Sequence, residues 1–217
     1  MFQEGFPNYL RDDVTKAVGS IPNKTYNNVT IGVSQDIIQY FQDNNVIRFP
    51  YRIYYIDSSD EVIDNLSERQ KMILHCIYSR SCDGLVRQKH MYSLLQMDYE
   101  DWAIPYIVKI CDEYVVEILE MTYDILKEQD TERIKKFCIE NIGAFCKSYN
   151  RMISYWNEYY RYKYNNFQQY IGRKLFRDCF GYSKSMERRK KKFVKQYTLT
   201  NGCFTLRGFT LPFVNNK

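Results

Sequence analysis

The chain has 217 residues, of which 45% are hydrophobic and 26% charged, a composition that excludes wholesale disorder and predicts one domain with a tail. Twenty-one Tyr and thirteen Phe stand against nine Gly and five Pro. This balance favours long helices with large amphipathic side chains over a turn-rich β-sandwich.

The net charge of +5 is distributed unevenly along the chain. Residues 173–195 hold ten Lys or Arg and two acidic residues, a net charge of +8. Arg207 and Lys217 add two positive charges, so residues 1–172 carry −5. The chain therefore combines an acidic body with a basic C-terminal segment.

The cysteines and the N-terminal sequence bear on cellular location. The seven Cys show no repeated short spacing, so we interpret them as buried, reduced thiols. The N-terminal stretch lacks a basic start followed by an apolar run, and no stretch reaches the roughly eighteen apolar residues of a membrane span. We expect neither a secretory signal nor a membrane span, and we expect a cytoplasmic location.

Residues 1–33 are predicted to be irregular apart from one short helix. A short helix is expected over residues 12–18, and Ser34 has the residue type of an N-cap for a second helix over residues 35–43. Residues 48–59 are predicted to be extended, because Pro50 is unsuited to a helix interior and the neighbouring residues are β-branched or aromatic.

A helical hairpin is predicted next. Ser67 and Gln70 form a capping-box pattern, in which each side chain satisfies a free backbone amide at the start of a helix that runs to about Arg80. Asp83–Gly84 is a turn signal, and a second helix is expected over residues 85–96.

Residues 104–126 are predicted to form one long amphipathic helix. Apolar or small residues recur every three or four positions along one face: Ile104, Val108, Cys111, Val115, Ile118, Thr122 and Ile125. The opposite side is predicted to be an acidic ridge of Glu113, Glu117, Glu120, Asp124 and Glu128. Such a helix is expected to pack on several neighbours in a bundle.

The rest of the chain is predicted to contain two more helices and a hairpin. Apolar spacing indicates a helix over residues 131–164, and a further helix is expected over residues 166–180, closed by Gly181. Alternating residues near the C-terminus predict a β-hairpin that turns at Asn201–Gly202.

We therefore expect a mostly α-helical bundle of five or six helices with a small C-terminal β-hairpin. Residues 1–182 are the predicted helical domain, and residues 183–217 the basic segment and hairpin. An alternative comes from residues 82–86 and 111–115, which share Cys-Asp-x-x-Val at a spacing of 29 and resemble the helix-turn-helix pattern of HEAT repeats. A stable stack needs at least three such units, and the sequence has no third copy.

Catalytic and metal-binding patterns are missing from the sequence. It contains no phosphate-binding glycine pattern, no GxSxG and no HExxH. The two histidines, His75 and His90, are interpreted as a surface residue and a hydrogen-bonded core residue. A zinc site with Cys76 and Cys82 is disfavoured, because His75 and Cys76 point about 100° apart around a helix.

An enzyme is the less favoured class. Cys82 beside Asp83 has the residue type of a nucleophile at a turn, but no activating base can be identified. A catalytic role would require a pocket that joins a histidine with Asp83 or Glu100. We predict no catalytic residue, no cofactor and no metal.

Two stretches have the composition of binding surfaces. Residues 149–170 mix aromatic and cationic side chains, as single-strand-binding surfaces do, although a buried aromatic row fits the same spacing. Its candidate binding residues are Arg151, Tyr159, Arg161 and Tyr162, with the two tyrosines expected to be exposed. Residues 183–196 contain the second set: Arg188, Arg189, Lys190, Lys191, Lys192 and Lys195.

Three interpretations of the basic segment stay open: a solvated tail, a nucleic-acid contact, or a dock for an acidic protein surface. We expect a cytosolic, non-catalytic protein that binds another protein. The alternative is a nucleic-acid-binding protein that uses residues 183–196 and residues 149–170.

Overall fold

The computed structural model describes residues 2–26, 32–186 and 188, together with the strands at 203–206 and 209–212. These residues are mostly helical. They divide into two compact units, Met1–Gly181 and Tyr182–Lys217. Within the part of the chain that is described, no helix is long and apolar enough to cross a membrane.

Nine α-helices are described in the first unit: α1 (Arg11–Gly19), α2 (Asp60–Asp64), α3 (Glu68–Tyr78), α4 (Gly84–Gln96), α5 (Ile104–Lys109), α6 (Val116–Leu126), α7 (Glu132–Glu140), α8 (Ile142–Tyr155) and α9 (Ile171–Lys174). Two π-helical turns continue the last two helices, Trp156–Tyr160 after α8 and Leu175–Cys179 after α9. Short 3-10 turns occupy Phe2–Gly5, Asn8–Leu10, Asp101–Ala103, Ile110–Asp112 and Phe167–Gln169.

An antiparallel hairpin replaces the helix predicted over residues 35–43, so that prediction was wrong. Strand β1 (Ile37–Gln42) pairs with β2 (Asn45–Pro50), with Gln42 opposite Asn45. The two connecting residues, Asp43 and Asn44, have φ values of 49° and 63°. Asp and Asn tolerate this left-handed region, and two such residues make the tight turn that suits strand twist. The side chains alternate accordingly, and Tyr40 and Phe49 are buried on one face.

The α3–α4 hairpin is confirmed at both caps. The Ser67 hydroxyl accepts from the Gln70 amide at 3.3 Å, and Gln70 Oε1 accepts from the Ser67 amide at 3.2 Å. At the start of α4, Asp83 Oδ1 accepts from the amide of Leu85 at 2.8 Å. These side chains satisfy backbone donors that a helix leaves free, which is why the boundaries follow the sequence.

The helix predicted over residues 104–126 is interrupted, so its continuity was wrong. Helix α5 passes into the 3-10 turn Ile110–Asp112, and Glu113 and Val115 are extended before α6 begins. The predicted apolar face is still buried on both sides of the break, as Val108 and Ile118 show. The interruption puts a turn between α5 and α6 where one continuous helix was predicted.

The helix predicted over residues 131–164 is also broken. Asn141 separates α7 from α8, because its side chain bonds to the backbone of β1. The Phe41 amide donates to Asn141 Oδ1 at 2.7 Å, and Asn141 Nδ2 donates to the Phe41 carbonyl at 2.8 Å. The side-chain amide thus satisfies the outer edge of a strand as a neighbouring peptide would.

The predicted helix over residues 166–180 is present in pieces. Asn166 caps the turn Phe167–Gln169, accepting from the Gln168 amide at 2.9 Å, and α9 and its π-helical turn follow. Gly181 closes the segment with φ +70°, as predicted for a glycine in the left-handed region.

The second unit contains a two-stranded antiparallel sheet. Strand β3 (Cys203–Leu206) pairs with β4 (Phe209–Pro212), with Leu206 opposite Phe209. The pairing of Leu206 with Phe209 puts the chain reversal between these two residues, so the predicted turn at Asn201–Gly202, which precedes β3 and lies outside the described residues, was wrong in position.

Candidate binding site

A buried carboxylate with three arginines lies at the interruption between α5 and α6. Glu113 is 1% exposed, so its assignment to an exposed acidic ridge was wrong. Its Oε1 lies 2.8 Å from Arg52 Nη2 and 3.8 Å from Arg80 Nη2, and its Oε2 lies 3.0 Å from Arg87 Nη2. The arginines come from the segment after β2, the turn after α3 and the start of α4. One carboxylate therefore joins three separate parts of the chain.

Electrostatics keep this carboxylate ionised. Burial alone would raise the pKa of Glu113, but the nearby guanidinium groups of Arg52, Arg87 and Arg80 outweigh burial and hold the pKa below its usual value. Arg87 is fixed further because its Nη1 donates to the carbonyls of Ser81 at 2.7 Å and Cys82 at 3.0 Å. Hydrogen bonds with a charged donor or acceptor, such as those of Arg87 and the one from Arg52 to Glu113, are stronger than bonds between neutral groups.

Cations also surround the ring of Tyr51. The ring centroid lies 4.5 Å from the Arg52 guanidinium carbon, 5.1 Å from Lys109 Nζ, 5.6 Å from the Arg151 guanidinium carbon and 5.8 Å from that of Arg80. The negative face of an aromatic ring attracts cations at these distances. Arg151, on α8, is exposed, so the group reaches from the buried Glu113 cluster to solvent.

Three tyrosine rings lie in mutual contact beside this group. Ring centroids of Tyr114 and Tyr155 are 6.0 Å apart, those of Tyr155 and Tyr159 are 6.2 Å apart, and those of Tyr114 and Tyr159 are 6.4 Å apart. Tyr114 is 48% exposed and Tyr159 is 58% exposed. The Tyr160 hydroxyl accepts from the Val116 amide at 3.3 Å and so helps to hold the interruption that carries Tyr114.

The cations and the tyrosines share helix α8, which carries both Arg151 and Tyr155, and we treat them as one surface. Tyr114 directly follows Glu113, and Tyr155 lies one helical turn after Arg151 on α8, where side chains four apart share a face. We call this surface the tyrosine–arginine face, and define it as Tyr51, Arg52, Tyr114, Arg151, Tyr155 and Tyr159.

Of the four predicted aromatic and cationic residues, two belong to the tyrosine–arginine face. Tyr159 and Tyr162 are exposed as predicted, the latter to 94%. Arg151 and Tyr159 both belong to the tyrosine–arginine face. Arg161 is exposed and donates to Asn157 Oδ1 at 3.1 Å, and no contact with the three tyrosine rings is described for Arg161 or Tyr162.

The remaining charged candidates are not among the residues that define the face. Glu117, Asp124 and Glu128 are exposed, whereas Glu120 is half-buried and accepts from the Tyr164 hydroxyl at 2.8 Å. Arg188 is exposed. The other candidates of the basic segment lie outside the described residues: Arg189, Lys190, Lys191, Lys192 and Lys195.

The two histidines bond to each other. His75 is 7% exposed, so its assignment to the surface was wrong, and His90 is fully buried and hydrogen-bonded as predicted. Their Nδ1 atoms are 2.8 Å apart, and His90 Nε2 lies 2.7 Å from Asp57 Oδ1. Burial, with the nearby His90 and Lys89, lowers the pKa of His75 to about 3.

Neither histidine lines the large groove described in the structure. This groove, of about 960 Å³, is lined by Glu100, Trp102 and Arg133 among others. Burial and the neighbouring Asp83 raise the pKa of the Cys82 thiol, which disfavours its nucleophilic thiolate form. Among the described residues, no group of three or more His, Cys, Asp or Glu could hold a metal ion.

No protein-family model, curated protein or solved structure matches the chain. Sequence reasoning missed much of the site: Tyr51, Arg52, Arg80, Arg87, Lys109 and Tyr114. The available signal was the stretch at 48–55, RFPYRIYY, where two arginines stand among four aromatic residues. That stretch was interpreted only as an extended segment.

Proposed function

We propose that the protein is a non-catalytic binding protein and that its tyrosine–arginine face takes single-stranded nucleic acid. The observation that carries this proposal is the mutual contact of three tyrosine rings, two of them about half exposed, with the exposed Arg151 one helical turn before Tyr155 on α8. Bases stack on aromatic side chains without regard to sequence, and cations meet the phosphates between them.

The exposure of these tyrosines supports a binding role, because several other tyrosines of the chain are buried. Tyr78, Tyr106 and Tyr170 are each 1% exposed or less. By contrast, Tyr114 and Tyr159 leave about half of their surface in water although their rings touch. Contiguous exposed apolar surface of this kind marks interaction sites.

The arginines supply a fixed positive potential next to the rings. Arg52 and Arg87 are held on Glu113 by ionic contacts of 2.8 and 3.0 Å. Arginine recognises phosphate through a planar, multiply donating group, and a rigid array lowers the entropy lost on binding. Arg151, the exposed cation of the face, is the residue we assign to direct phosphate contact.

A protein interaction is the second candidate. Three exposed acidic residues, Glu117 and Asp124 on α6 and Glu128 just after it, favour it because their charge complements that of the basic segment of the same or another chain. Tyrosine and arginine are also the side chains that dominate protein interfaces. Exposed ion pairs contribute only about 0–1 kcal/mol each, so such docking would be weak and sensitive to salt.

Our proposal also covers the fold around the face and the cellular location of the protein. We propose that the longer helices form a bundle of five or six helices that holds it, with the C-terminal hairpin and basic segment as a separate element. We also propose a cytoplasmic location, in accord with six described cysteines that form no disulfide: Cys76, Cys82, Cys111, Cys138, Cys146 and Cys179.

Fluorescence anisotropy with a labelled single strand of about 12 nucleotides tests the nucleic-acid proposal. Tyr159→Ala should weaken binding by roughly 5- to 150-fold, the loss expected for one stacked base. Arg151→Gln should reduce the slope of log affinity against log salt by about 0.7, the value for one phosphate of a single strand. The matched control is Tyr92→Ala, a change at a tyrosine that is 52% exposed on α4 and outside the face.

A variant with glutamine at all five of Arg188, Arg189, Lys190, Lys191 and Lys192 separates the face from the basic segment. If this variant loses binding while Tyr159→Ala keeps it, the basic segment and not the face holds the strand. Absence of binding by the unchanged protein at low salt would refute the nucleic-acid proposal. Salt-sensitive self-association that the glutamine variant abolishes would then support the second candidate.

A further inference from the structure

The chain contains only two histidines, and both belong to one hydrogen-bonded series that ties three elements together. His75 lies on α3, His90 on α4, and Asp57 in the segment before α2. The Nδ1 atoms of the two rings are 2.8 Å apart, and His90 Nε2 is 2.7 Å from the Asp57 carboxylate. This series is separate from the tyrosine–arginine face.

Counting protons defines the charge that this series tolerates. An ionised carboxylate only accepts hydrogen bonds, so His90 Nε2 carries a proton toward Asp57. The contact between the two Nδ1 atoms needs one proton, on either ring. One positive charge is therefore compatible with the series, with His90 doubly protonated and His75 accepting at Nδ1. Two charged rings would place two N–H groups against each other, and the contact would break.

The surroundings of the pair oppose a second charge. Lys71 on α3 and Lys89 on α4 both act against protonation of His75, and Asp57 favours it. That carboxylate is already engaged by Lys89 Nζ at 3.0 Å and by His90, while Lys89 also contacts Asp60 of α2 at 2.8 Å. The ring of Tyr78 stacks on His90 at 4.5 Å and excludes water from it.

We propose that His75 and His90 form an acid-sensitive latch, which holds α3 against α4 while the pair carries at most one positive charge and opens when both rings are protonated.

The sign of the pH effect follows from the state of His75. In the closed latch the pKa of His75 is lowered to about 3 by burial, whereas a released histidine has a pKa of about 6.5. Opening therefore takes up a proton at any pH between these values, and closure is lost progressively as the pH falls below about 6.5. The equilibrium constant for opening should rise about 25-fold between pH 7 and pH 5.

Protonation of the Asp57 carboxylate affects the series only at a lower pH than protonation of the histidines. Partial burial raises the pKa of Asp57, but hydrogen bonds and charges from His90 and Lys89 hold the pKa below its usual value. Its protonation therefore weakens the series only below about pH 4. Measurements between about pH 7 and about pH 5 thus report on the histidines.

Histidine-selective NMR on the full chain tests the latch directly, since only two imidazoles give signals. At about pH 5, below the pKa of an ordinary histidine, at least one ring should stay neutral in the folded protein. Two fully charged rings in the folded protein at this pH would overturn the proposal.

Amide hydrogen exchange of α3 and α4, corrected for intrinsic rates, measures opening. His75→Gln keeps a side chain that can bond to His90 Nδ1 but removes the titrating ring, so its opening should lose the roughly 25-fold pH dependence. Tyr92→Phe, on the exposed side of α4, is the control and should keep it. Equal pH dependence in His75→Gln and the unchanged protein would overturn the latch. If His75→Gln does not fold, the NMR titration of the unchanged protein decides.

Discussion

Glu113→Gln should lower the free energy of unfolding by about 3–5 kcal/mol, the largest effect that we expect from a single change. Glutamine keeps the size of the side chain but removes its charge. Arg80 and Arg87, each 1% exposed, would then lose the carboxylate that lies between them, and Arg52 would lose its 2.8 Å contact. Desolvated guanidinium groups without a counter-charge are strongly unfavourable. Urea titration of the purified variant measures the difference.

Asp124→Asn is the matched control for this experiment. Asp124 is an exposed carboxylate on α6, 2.7 Å from Lys127, and its neutralisation should change the free energy of unfolding by less than about 1 kcal/mol. A double-mutant cycle of Glu113→Gln with Arg87→Met isolates the coupling between the buried partners. Equal effects of Glu113→Gln and Asp124→Asn would contradict the role of Glu113 as the shared counter-charge of the arginines.

The interruption at Glu113 shows why a correct burial pattern did not predict a correct backbone. The apolar spacing of residues 104–126 continues across the break, because α5 and α6 both bury the same side of the chain. Neither glycine nor proline marks the position. The decisive partners are the arginines at positions 52, 80 and 87, which are distant in sequence, and a helical pattern contains no information about them.

Local side-chain chemistry explains where prediction succeeded. The capping box at Ser67 and the cap at Asp83 act within three residues, so the α3–α4 hairpin could be predicted in type and nearly in length. The hairpin of β1 and β2 is locally encoded too, by Asp43 and Asn44, whereas the residue type of Ser34 had predicted a helix there. Asn141 is the opposite case, because its partner Phe41 is one hundred residues away.

The candidate site was predictable only where it depends on local sequence patterns. The exposure of Tyr159 and Tyr162 followed from their positions off the buried row of the helix, and both are exposed. Arg151 was a candidate from composition alone. Its contact with the ring of Tyr51, at 5.6 Å, joins residues one hundred positions apart and could not be obtained from spacing. A surface assembled from several elements becomes visible only once the fold brings them together.

Ile118→Ala should lower the free energy of unfolding by about 2–5 kcal/mol, because Ile118 is fully buried on α6 and alanine would leave a cavity. The neighbouring Glu117 is exposed on the same helix, and Glu117→Ala should change stability by less than about 0.5 kcal/mol. Alanine favours a helix at both positions, so helix propensity cannot explain a difference between them. Urea titrations with equal slopes make the two midpoints directly comparable. Equal losses for the two variants would show that the amphipathic assignment of α6 is wrong.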